Sequence, residues 1–582
     1  MNWLFSIDQI RAAEQPLLEA QTRPDELMQS AAAAVADTCE QWAQGDRYLL
    51  LVGPGGNGGD ALYAGALAAM KGKRVDAYPI VRTDSGEPKM HERAAETFTT
   101  AGGHILADLP KAAELADYGL IVDGMFGLGN RLDGIPLDIA RLLHANDHSI
   151  PAGDSAEASA CSPENYAIAH APNHIPVLAV DLPSGVDANT AITAAPTEDG
   201  INTHVTATAT VTFGGLRRAH GISAECGHVS VSDIHLDDGR RLSDELATVA
   251  SAAERPLPSL YCVPLGDTHS AEIHSCPAHA ETQALLRNLP GEPSATDDKY
   301  SGGVVGIYAG SEQFPGAGVL SCTGAVRTTN SMVRYVGGNA CAITASLPEV
   351  VIHPDRFATG RVQARVLGPG RGTDRAAKEE LVDLLDTVQP LILDADALTI
   401  ISKDKSLVET LRKRLAPTVC TPHGGEFERL AKPVRELGHE VANSAEDRLQ
   451  AARDLAVALD CTVLLKGRFS VIANPRQTVV VDYGSSWAAT AGSGDVLSGI
   501  VGAILARDAS RRAFTHGYAE AGQSEIDSVE ADYVLFTTAL GVIIHAVAAF
   551  HSSETPYGRA PTSASHIAEA IPGAIAYLTS QV

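Results

Sequence analysis

Short apolar segments that end in a turn recur along the chain, and this pattern constrains the fold more than any other feature of the sequence. The clearest are "RYLLLVG", "GLIVDGMFG", "VLAVDLPSG", "GGVVGIYAG", "ARVLGPG", "PLILDADAL" and "CTVLLKG". Stretches of helical character separate several of them. This alternation predicts parallel strands joined by crossover helices, an α/β fold. Ligands of such sheets bind beyond the carboxyl ends of the strands.

The chain is long enough for more than one domain. Its 582 residues exceed what one hydrophobic core usually supports. The strand pattern dissolves between about 236 and 297 and then resumes. We therefore predict one domain over 1–255 and a second over 256–582. The polar segments 151–175 and 516–534 are interpreted as insertions.

Composition limits the kinds of partner. Lys and Arg number 44 against 71 Asp and Glu, a net charge of −27, which argues against binding to nucleic acid or to an anionic membrane. No apolar stretch reaches the roughly 18 residues that span a bilayer, and "ALGVIIHAVAAF" (539–550) is interpreted as a buried helix. Nine scattered cysteines without CxxC spacing, and a start unlike a signal peptide, favour a cytoplasmic location.

The segment "ATAGSGDVLSG" (489–499) places Asp495 among glycines. A glycine-rich turn that opens a helix binds anions through free N–H groups and the helix dipole, so a carboxylate there would repel phosphate. The combination makes sense if the amides neutralise a moving phosphoryl group while Asp495 removes a proton from the attacking hydroxyl. The alternative is that Asp495 only caps the helix, which leaves the flanking glycines unexplained.

Further segments rich in glycine lie at successive predicted strand ends: "AGSEQFPGAG" (309–318), "GPGRGTD" (368–374), "TPHGGEFERL" (421–430) and "KGRFS" (466–470). None of them is a Walker A loop, because no lysine followed by Ser or Thr directly follows the glycines. Lys466 offers a cation beside the hydroxyl of Ser470. Together with the Asp495 turn they predict the site of a small-molecule kinase.

In this order, these motifs resemble those of the ADP- or ATP-dependent NAD(P)H-hydrate dehydratases, over roughly residues 299–550. The resemblance implies a ribokinase-like α/β domain that phosphorylates the 6-hydroxyl of hydrated NAD(P)H and then eliminates phosphate, with Mg²⁺ shielding the phosphates. It implies that Asp495 is the base and that the nucleotide is held by Lys466, Gly467, Arg468, Phe469, Ser470 and Gly494. It implies that the hydrated cofactor is contacted by Ala317, Gly370, His423 and Asp495.

Each of these residues also has a purely structural interpretation. Gly370 could be a tight-turn glycine, His423 a satisfied polar residue and Lys466 a solvated lysine at a strand end.

Three motifs of the first half also follow strands: "VGPGGNGGDALYAG" (52–65), "VDGMFGLGNRLDG" (122–134) and "AVDLPSGVDANT" (179–190). Their backbone donors can cradle a diphosphate. Asn57, Asp123 and Ser184 supply oxygen atoms from three strand ends, a set that suits a hard cation better than zinc. Asp123 and Asp181 could instead be turn residues, and Ser184 a cap.

These motifs resemble those of the NAD(P)H-hydrate epimerase family, over about residues 1–235. The resemblance implies a Rossmann-like three-layer α/β sandwich that equilibrates the R and S hydrates, with Asp181 as the acid/base. It implies potassium bound through Asn57, Asp123 and Ser184. The remaining residues that it implies for binding the hydrated cofactor are Gly56, Gly58, Gly59, Asp60, Gly127, Leu128, Gly129, Asn130, Arg131, Leu132 and Asp133.

The first half departs from the family pattern at three places. Gly56 stands where the family usually has Asn, and Ala61 where it has Gly. Arg217 is the nearest cation where a lysine-containing "PKxG" stretch is usual, and the two side chains differ in shape and proton lability. A first domain that only binds its ligand, or that serves as a scaffold module, is therefore an alternative.

The two resemblances fall on one pathway, since an epimerase would supply the S hydrate that a dehydratase consumes. We expect NADHX and NADPHX as substrates, ADP rather than ATP as phosphoryl donor, and a homo-oligomer. The enzymatic alternative is a ribokinase-like kinase of a vitamin precursor with a degenerate first domain.

Overall fold

The structure is a computed structural model and describes residues 2–83, 86–127, 132, 134–147, 174–250, 257–261, 285–515 and 523–580. The chain divides into two compact units, Trp3–Leu257 and Pro258–Val582, the latter joined by Met1–Asn2. The predicted insertion at 151–175 lies almost wholly outside the described residues.

The first unit is built on a parallel sheet of seven strands. The strands of this part of the chain, including two that lie outside the seven-stranded sheet, are β1 (Asn2–Phe5), β2 (Arg47–Val52), β3 (Arg74–Pro79), β4 (His104–Ile105), β5 (Leu120–Gly124), β6 (Val177–Val180), β7 (Ala209–Phe213), β8 (Leu216–Arg217) and β9 (His228–Ser232). The sheet order is β4-β3-β2-β5-β6-β7-β9, with every pairing parallel. Outside this sheet, β1 pairs in parallel with β8.

Helices cover both faces of this sheet. They are α1 (Ile7–Ala20), α2 (Glu26–Trp42), α3 (Gly56–Met70), α4 (Glu92–Thr100), α5 (Leu137–Asp147) and α6 (Leu242–Ala250). Alternate residues of β2 enter different cores: Leu50 packs with Leu62 of α3, and Leu49 packs with Ile139 of α5. Since successive side chains of a strand point to opposite faces, the unit has three layers, and the predicted sandwich is confirmed.

The second unit contains a larger sheet. Its strands are β10 (Leu257–Tyr261), β11 (Val305–Tyr308), β12 (Val333–Val336), β13 (Val351–His353), β14 (Ala364–Leu367), β15 (Leu391–Leu393), β16 (Thr418–Cys420), β17 (Thr462–Leu465), β18 (Phe469–Ala473) and β19 (Thr478–Asp482), with a small hairpin of β20 (Glu554–Thr555) and β21 (Gly558–Arg559). The order is β13-β12-β11-β14-β15-β16-β17-β18-β19-β10, in which only β18 runs antiparallel to its neighbours.

The motifs of the second half lie at the carboxyl ends of neighbouring strands, as predicted. Strands β11, β14, β15, β16 and β17 are adjacent in the sheet, and each precedes one motif. The helices are α7 (Pro315–Thr328), α8 (Ala340–Ser346), α9 (Arg375–Leu385), α10 (Asp396–Ser402), α11 (Lys405–Arg412), α12 (Gly424–Glu436), α13 (Arg448–Leu459), α14 (Ser493–Thr515), α15 (Gln523–Ser552) and α16 (Ala564–Ser580). The ribokinase-like α/β architecture is therefore confirmed.

Helix α15 corrects two expectations. Its segment Asp532–Ser552, 21 residues long, is long and apolar enough to cross a membrane by length and composition, whereas the sequence was expected to hold no such stretch. The most apolar window of this segment is 89% buried inside the protein, so the interpretation of 539–550 as a buried helix is correct. Of the segment 516–534 that was interpreted as an insertion, residues 523–534 form the first turns of α15, while 516–522 lie outside the described residues.

Substituting Gly368 tests the close approach of β14 to β15. Gly368 has φ +126°, and a Cβ there would lie 1.9 Å from the carbonyl oxygen of Asp394. Both the left-handed backbone and this clash oppose a side chain, so Gly368→Ala should lower the free energy of unfolding by about 2–4 kcal/mol, measured by chemical denaturation. Gly573→Ala in α16, where nothing lies within 4 Å of the new Cβ, is the control. An equal loss in both variants would contradict the prediction.

Candidate active sites

Asp495 lies in the first turn of α14. The helix begins at Ser493, and the main-chain N–H of Asp495 donates to the carbonyl of Gly492 at 3.1 Å, so Asp495 is not the capping residue. Burial raises the pKa of Asp495 to about 7, the nearby carboxylate of Asp394 adds to the rise, and Lys466 opposes it. A carboxyl that titrates near neutral pH suits a general base.

The ammonium group of Lys466 is engaged inside this site. Its Nζ donates to Oδ1 of Asp394 at 2.7 Å and lies 3.9 Å from Oε2 of Glu426. The same Nζ is 3.4 Å from where a Cβ on Gly494 would stand, so lysine and glycine turn are adjacent. Although burial opposes it, the Asp394 carboxylate raises the pKa of Lys466. The interpretation of Lys466 as a solvated lysine is therefore wrong.

Asp394 was not predicted as a site residue, although it lies in the segment "PLILDADAL". Asp394 is 1% exposed and also accepts a hydrogen bond at 2.6 Å from the hydroxyl of Ser498 on α14. The next residue, Ala395, has the uncommon φ of 46°, and Asp396 accepts from the main-chain N–H of Gly372 at 2.8 Å. Two carboxylates directly after a strand were the signal that could have identified these residues.

The segment from Lys466 to Ser470 forms the turn between β17 and β18. Ser470 is fully buried, and its hydroxyl donates to the carbonyl of Gly467 at 3.0 Å. Phe469 and Ser470 already belong to β18, and Nε of Arg468 lies 3.8 Å from Asp482. The hydroxyl of Ser470 therefore stabilises the turn through its contacts with Gly467.

Ala317 and Gly370 lie side by side at the same edge of the sheet. A Cβ on Gly370 would be 2.7 Å from Cβ of Ala317 and 2.9 Å from Cβ of Phe314, and the φ of Gly370 is +56°. Gly370 is thus a turn glycine at which any side chain would clash with Ala317 and Phe314. The side chain of Phe314 is half exposed beside it, which the sequence analysis did not anticipate.

His423 caps α12 next to the lysine. Its Nδ1 accepts from the main-chain N–H of Gly425 at 3.1 Å, and its ring is 3.6 Å from Glu426. The main-chain N–H of Lys466 donates to the carbonyl of Pro422 at 2.9 Å, which holds the two strand ends together. His423 is both a capping residue and a partly exposed side chain at the site.

In the first unit, Asp123 and Ser184 form a buried pair. The hydroxyl of Ser184 donates to Oδ1 of Asp123 at 2.7 Å, and its main-chain N–H donates to Oδ2 at 2.8 Å. Burial raises the pKa of Asp123 to about 6, although these hydrogen bonds oppose the rise. The Ser184 hydroxyl also accepts from the main-chain N–H of Phe126 at 3.0 Å.

Asn57 joins this pair from the start of α3. Its amide nitrogen donates to the carbonyls of Phe126 and Val180, at 3.1 and 2.6 Å, and its amide oxygen is 2.4 Å from where a Cβ on Gly127 would stand. Two carbonyl oxygens therefore converge on the Asn57 amide. Among the described residues, no group of three or more His, Cys, Asp or Glu side chains could hold a metal ion, so a cation here would rely on amide and carbonyl oxygens.

Asp181 forms an ion pair with Arg217, which stands where the epimerase pattern usually has a lysine-containing stretch. Nη2 of Arg217 lies 2.9 Å from Oδ1 of Asp181, and the two side chains are 1% and 5% exposed. The hydroxyl of Thr212 donates to the same Oδ1 at 2.8 Å, while Nη1 of Arg217 donates to the carbonyls of Phe213 and Gly215. Arg217 therefore places a cation beside the Asp181 carboxylate.

Two more carboxyl groups surround that ion pair. Burial raises the pKa of Asp60 well above its usual value, and the nearby charges of Asp181 and Glu14 add to the rise. Burial likewise raises the pKa of Glu14, which Arg217 opposes. Glu14 lies on α1, outside every motif, so the sequence analysis missed it.

The glycine motif of α3 has both strict and permissive positions. A Cβ on Gly58 would lie 2.0 Å from the carbonyl of Gly53, whereas one on Gly56 would meet nothing within 4 Å. The methyl group of Ala61 packs closely against Gly124. In the second predicted loop, Gly127 and Leu132 are described, and the residues outside the described part are Leu128, Gly129, Asn130, Arg131 and Asp133.

Comparison with known proteins agrees with this division. The family model described as YjeF-related protein N-terminus matches residues 24–219, and the model described as NAD(P)H-hydrate dehydratase matches residues 305–545. A bifunctional NAD(P)H-hydrate repair enzyme Nnr of Corynebacterium glutamicum is 41% identical over 610 residues, which cover 99% of this chain and 99% of that protein.

Two further proteins match part of the chain. An ADP-dependent (S)-NAD(P)H-hydrate dehydratase of Neisseria meningitidis serogroup B is 36% identical over 222 residues, 36% of this chain and 72% of that protein. A Bacillus subtilis ADP/ATP-dependent NAD(P)H-hydrate dehydratase, co-crystallised with ATP/Mg²⁺, is 24% identical, with a TM-score of 0.40 over 51% of this chain and 97% of its own.

The fold and the two sites define an enzyme with a YjeF-type domain followed by a ribokinase-like dehydratase domain. The chain belongs to the family of bifunctional NAD(P)H-hydrate repair enzymes. The resemblance drawn from the sequence is therefore confirmed, and the alternative of a vitamin-precursor kinase is not favoured.

Removing Arg217 should strongly destabilise the first domain. Arg217→Met leaves the buried Asp181 carboxylate without its cation, which should lower the free energy of unfolding by about 3–5 kcal/mol, measured by chemical denaturation. Arg240→Met, which removes a largely exposed ion pair with Asp238, is the matched control and should change little. If both variants unfold at the same denaturant concentration, the ion pair is not the main support of the site.

Proposed function

We propose that this chain repairs hydrated NAD(P)H, with the second domain dehydrating S-NADHX and S-NADPHX and the first interconverting the R and S epimers. The observation that carries the proposal is the position of Asp495, a half-buried carboxyl in a glycine turn beside the Lys466–Asp394 ion pair. Such a site both accepts a proton and neutralises a phosphoryl group.

In the second domain, Asp495 takes the proton of the substrate's 6-hydroxyl group as its oxygen attacks the terminal phosphoryl group of ADP. The P–O bond to AMP breaks, and the main-chain amides of Gly492 and Gly494 neutralise the charge in transit. The phosphate then leaves carbon 6, and loss of a proton from the neighbouring ring carbon restores dihydronicotinamide. We assign Ala317, Gly370 and His423 to the hydrated cofactor.

The nucleotide is proposed to bind along Lys466, Gly467, Arg468, Phe469, Ser470 and Gly494, with ADP favoured because the Neisseria relative is named for it. The carboxylates of Asp396 and Glu426 add negative charge near Asp495, a setting that suits a hard divalent cation. Mg²⁺ would shield the phosphates and would be held mostly by them and by water, since no three-carboxylate cage occurs among the described residues.

In the first domain, we propose Asp181 as the acid/base: it takes the proton of the 6-hydroxyl group as the bond from carbon 6 to the ring nitrogen breaks, and passes it to that nitrogen, which leaves an open-chain aldehyde. The same steps in reverse, with the nitrogen closing onto the other face of the aldehyde, give the opposite configuration at carbon 6. Arg217 and Thr212 hold the Asp181 carboxylate in place. The glycines at the start of α3, with Asn57 and Asp60, face the cofactor phosphates. The tight ion pair argues against a merely degenerate first domain.

Potassium is proposed at Asn57, Asp123 and Ser184. The carbonyls of Phe126 and Val180, which now converge on the Asn57 amide, would complete a set of hard oxygen ligands. Such an ion would supply positive charge beside Asp123. Asn57, Asp123 and Ser184 connect the loops that follow β2, β5 and β6.

We also propose a cytoplasmic location, since the described cysteines Cys39, Cys226, Cys322, Cys341, Cys420 and Cys461 are all free. The homo-oligomer expected from the sequence stays a prediction, which light scattering of the purified chain can check.

The dehydratase proposal is tested with Asp495→Asn. S-NADHX and ADP should regenerate the reduced-nicotinamide absorbance with the wild-type chain, and kcat should fall by about 10²–10⁴-fold in the variant, because it cannot accept the proton. Wild-type kcat/KM should rise with pH through about 7, as the Asp495 carboxyl ionises.

The matched control is Asp508→Asn, a buried carboxyl at the other end of α14 that bonds Thr537. It should keep wild-type turnover. Turnover of a hydroxymethylpyrimidine or thiazole alcohol with ATP, without any return of reduced-nicotinamide absorbance, would reverse the assignment.

The epimerase proposal is tested with Asp181→Asn. Conversion of R-NADHX to the S form should slow by about 10²–10⁴-fold, followed by chromatography of the epimers, while dehydration of pure S-NADHX stays unchanged. Dehydration by the second domain is an internal control for enzyme concentration, and chemical denaturation of the variant shows whether its first domain remains folded. Unchanged epimerisation would mean that the first domain acts through another residue or only binds.

The potassium proposal is tested by thermal unfolding of the first domain. Replacing choline chloride with KCl at equal ionic strength should raise Tm by several degrees, because an ion that binds only the folded state stabilises it. Asn57→Ala should abolish the difference. An equal Tm in both salts would remove potassium from the site.

A further inference from the structure

A buried histidine behind the Asp495 turn has no part in the chemistry described so far. His545 lies on α15 and is 2% exposed, and buried apolar residues surround it in the helix, among them Ile544 and Val547. An imidazole in such a place is costly unless its polar atoms are bonded. Both are: Nδ1 lies 3.1 Å from the hydroxyl of Tyr483 and Nε2 lies 3.0 Å from the hydroxyl of Ser493.

The imidazole is neutral. Burial lowers the pKa of His545 to about 4, and the positive charge of Lys466 adds to this effect. A neutral ring has one nitrogen that donates and one that accepts. The hydroxyls of Tyr483 and Ser493 are each able to take either part, so the row of three side chains can be fully bonded without any charge.

Each end of this row reaches one half of the active site. The main-chain N–H of Tyr483 donates at 3.1 Å to the carbonyl of Arg468, in the proposed nucleotide turn. Ser493 is the first residue of α14, directly between Gly492 and Gly494 and two residues before Asp495. Gly492 has φ +82°, and glycines leave a backbone free to adopt many conformations, so the conformation of this turn needs an outside support.

We propose that His545 is a positioning residue for the dehydratase reaction: through Ser493 it holds the glycine turn that presents Asp495 and the main-chain amides to the phosphoryl group, and through Tyr483 it ties that turn to the nucleotide turn. This inference rests on the proposed function of the second domain. Amides aimed at a phosphoryl group act only at short range, so a small displacement of the turn lowers kcat strongly while the more distant contacts that bind the hydrate are kept.

Two conservative variants separate the two bonds. A glutamine amide reaches the position of Nε2 and an asparagine amide that of Nδ1, so His545→Gln keeps the partner of Ser493 and His545→Asn keeps that of Tyr483. We expect His545→Gln, which keeps the bond to the glycine turn and loses that to Tyr483, to lose about three- to tenfold in kcat. His545→Asn and Ser493→Ala should each lose about 10–100-fold in kcat, with KM for S-NADHX changed less than about threefold.

The control for packing is Thr538→Val, which removes a fully buried hydroxyl on the same helix that donates to the carbonyl of Val534. It should keep wild-type kcat. The double variant Ser493→Ala with His545→Asn should be no slower than the slower single variant, because both remove the same bond. Thermal unfolding of every variant separates loss of fold from loss of positioning.

The outcomes are distinct. Equal losses in His545→Gln and His545→Asn, or a loss in Thr538→Val as large as theirs, would overturn the inference and leave His545 a packing residue. Wild-type rates in all the histidine variants would overturn it as well, while leaving the proposed function intact. No turnover of S-NADHX by the wild-type chain would refute the proposed function, and this inference with it.

Discussion

The hydrogen-bonded ion pair of Lys466 with Asp394 is the interaction on which the second site depends. Asp394, Glu426 and Asp495 lie close enough to influence one another's charge, and such a set of carboxylates would repel without a cation among them. Lys466 lets them coexist, and its bond to Asp394 keeps it within reach of the glycine turn. The pKa of Asp495 near neutrality follows from that balance together with burial.

The first domain uses the same arrangement with a different cation. Arg217 stands between carboxyl groups, bonded to Asp181 and opposing the charge of Glu14. A guanidinium group holds several acceptors at once through its planar fork, and Arg217 bonds two carbonyls besides Asp181. Arg217 therefore binds one carboxylate and two carbonyl oxygens from a single side chain.

The fold was predictable from the sequence because apolar strands followed by glycine turns leave few other architectures. The grouping of Asp495 with Lys466 also followed, since neighbouring parallel strands end at one edge. The partners of the charged residues were not predictable: Lys466 and Asp394 are 72 positions apart, and only strand order brings them together. His545 could not be predicted as a site residue because it lies in an apolar run whose packing partners the sequence does not reveal. The start of α15 could not be predicted either, because the acidic residues after 522 do not show which part of the chain packs against them.

Each site is assembled within one compact unit, the first from α1 to β8 and the second from β11 to α15. Covalent fusion therefore has a consequence for the cell rather than for the chemistry: one round of translation delivers both catalysts in strict one-to-one stoichiometry.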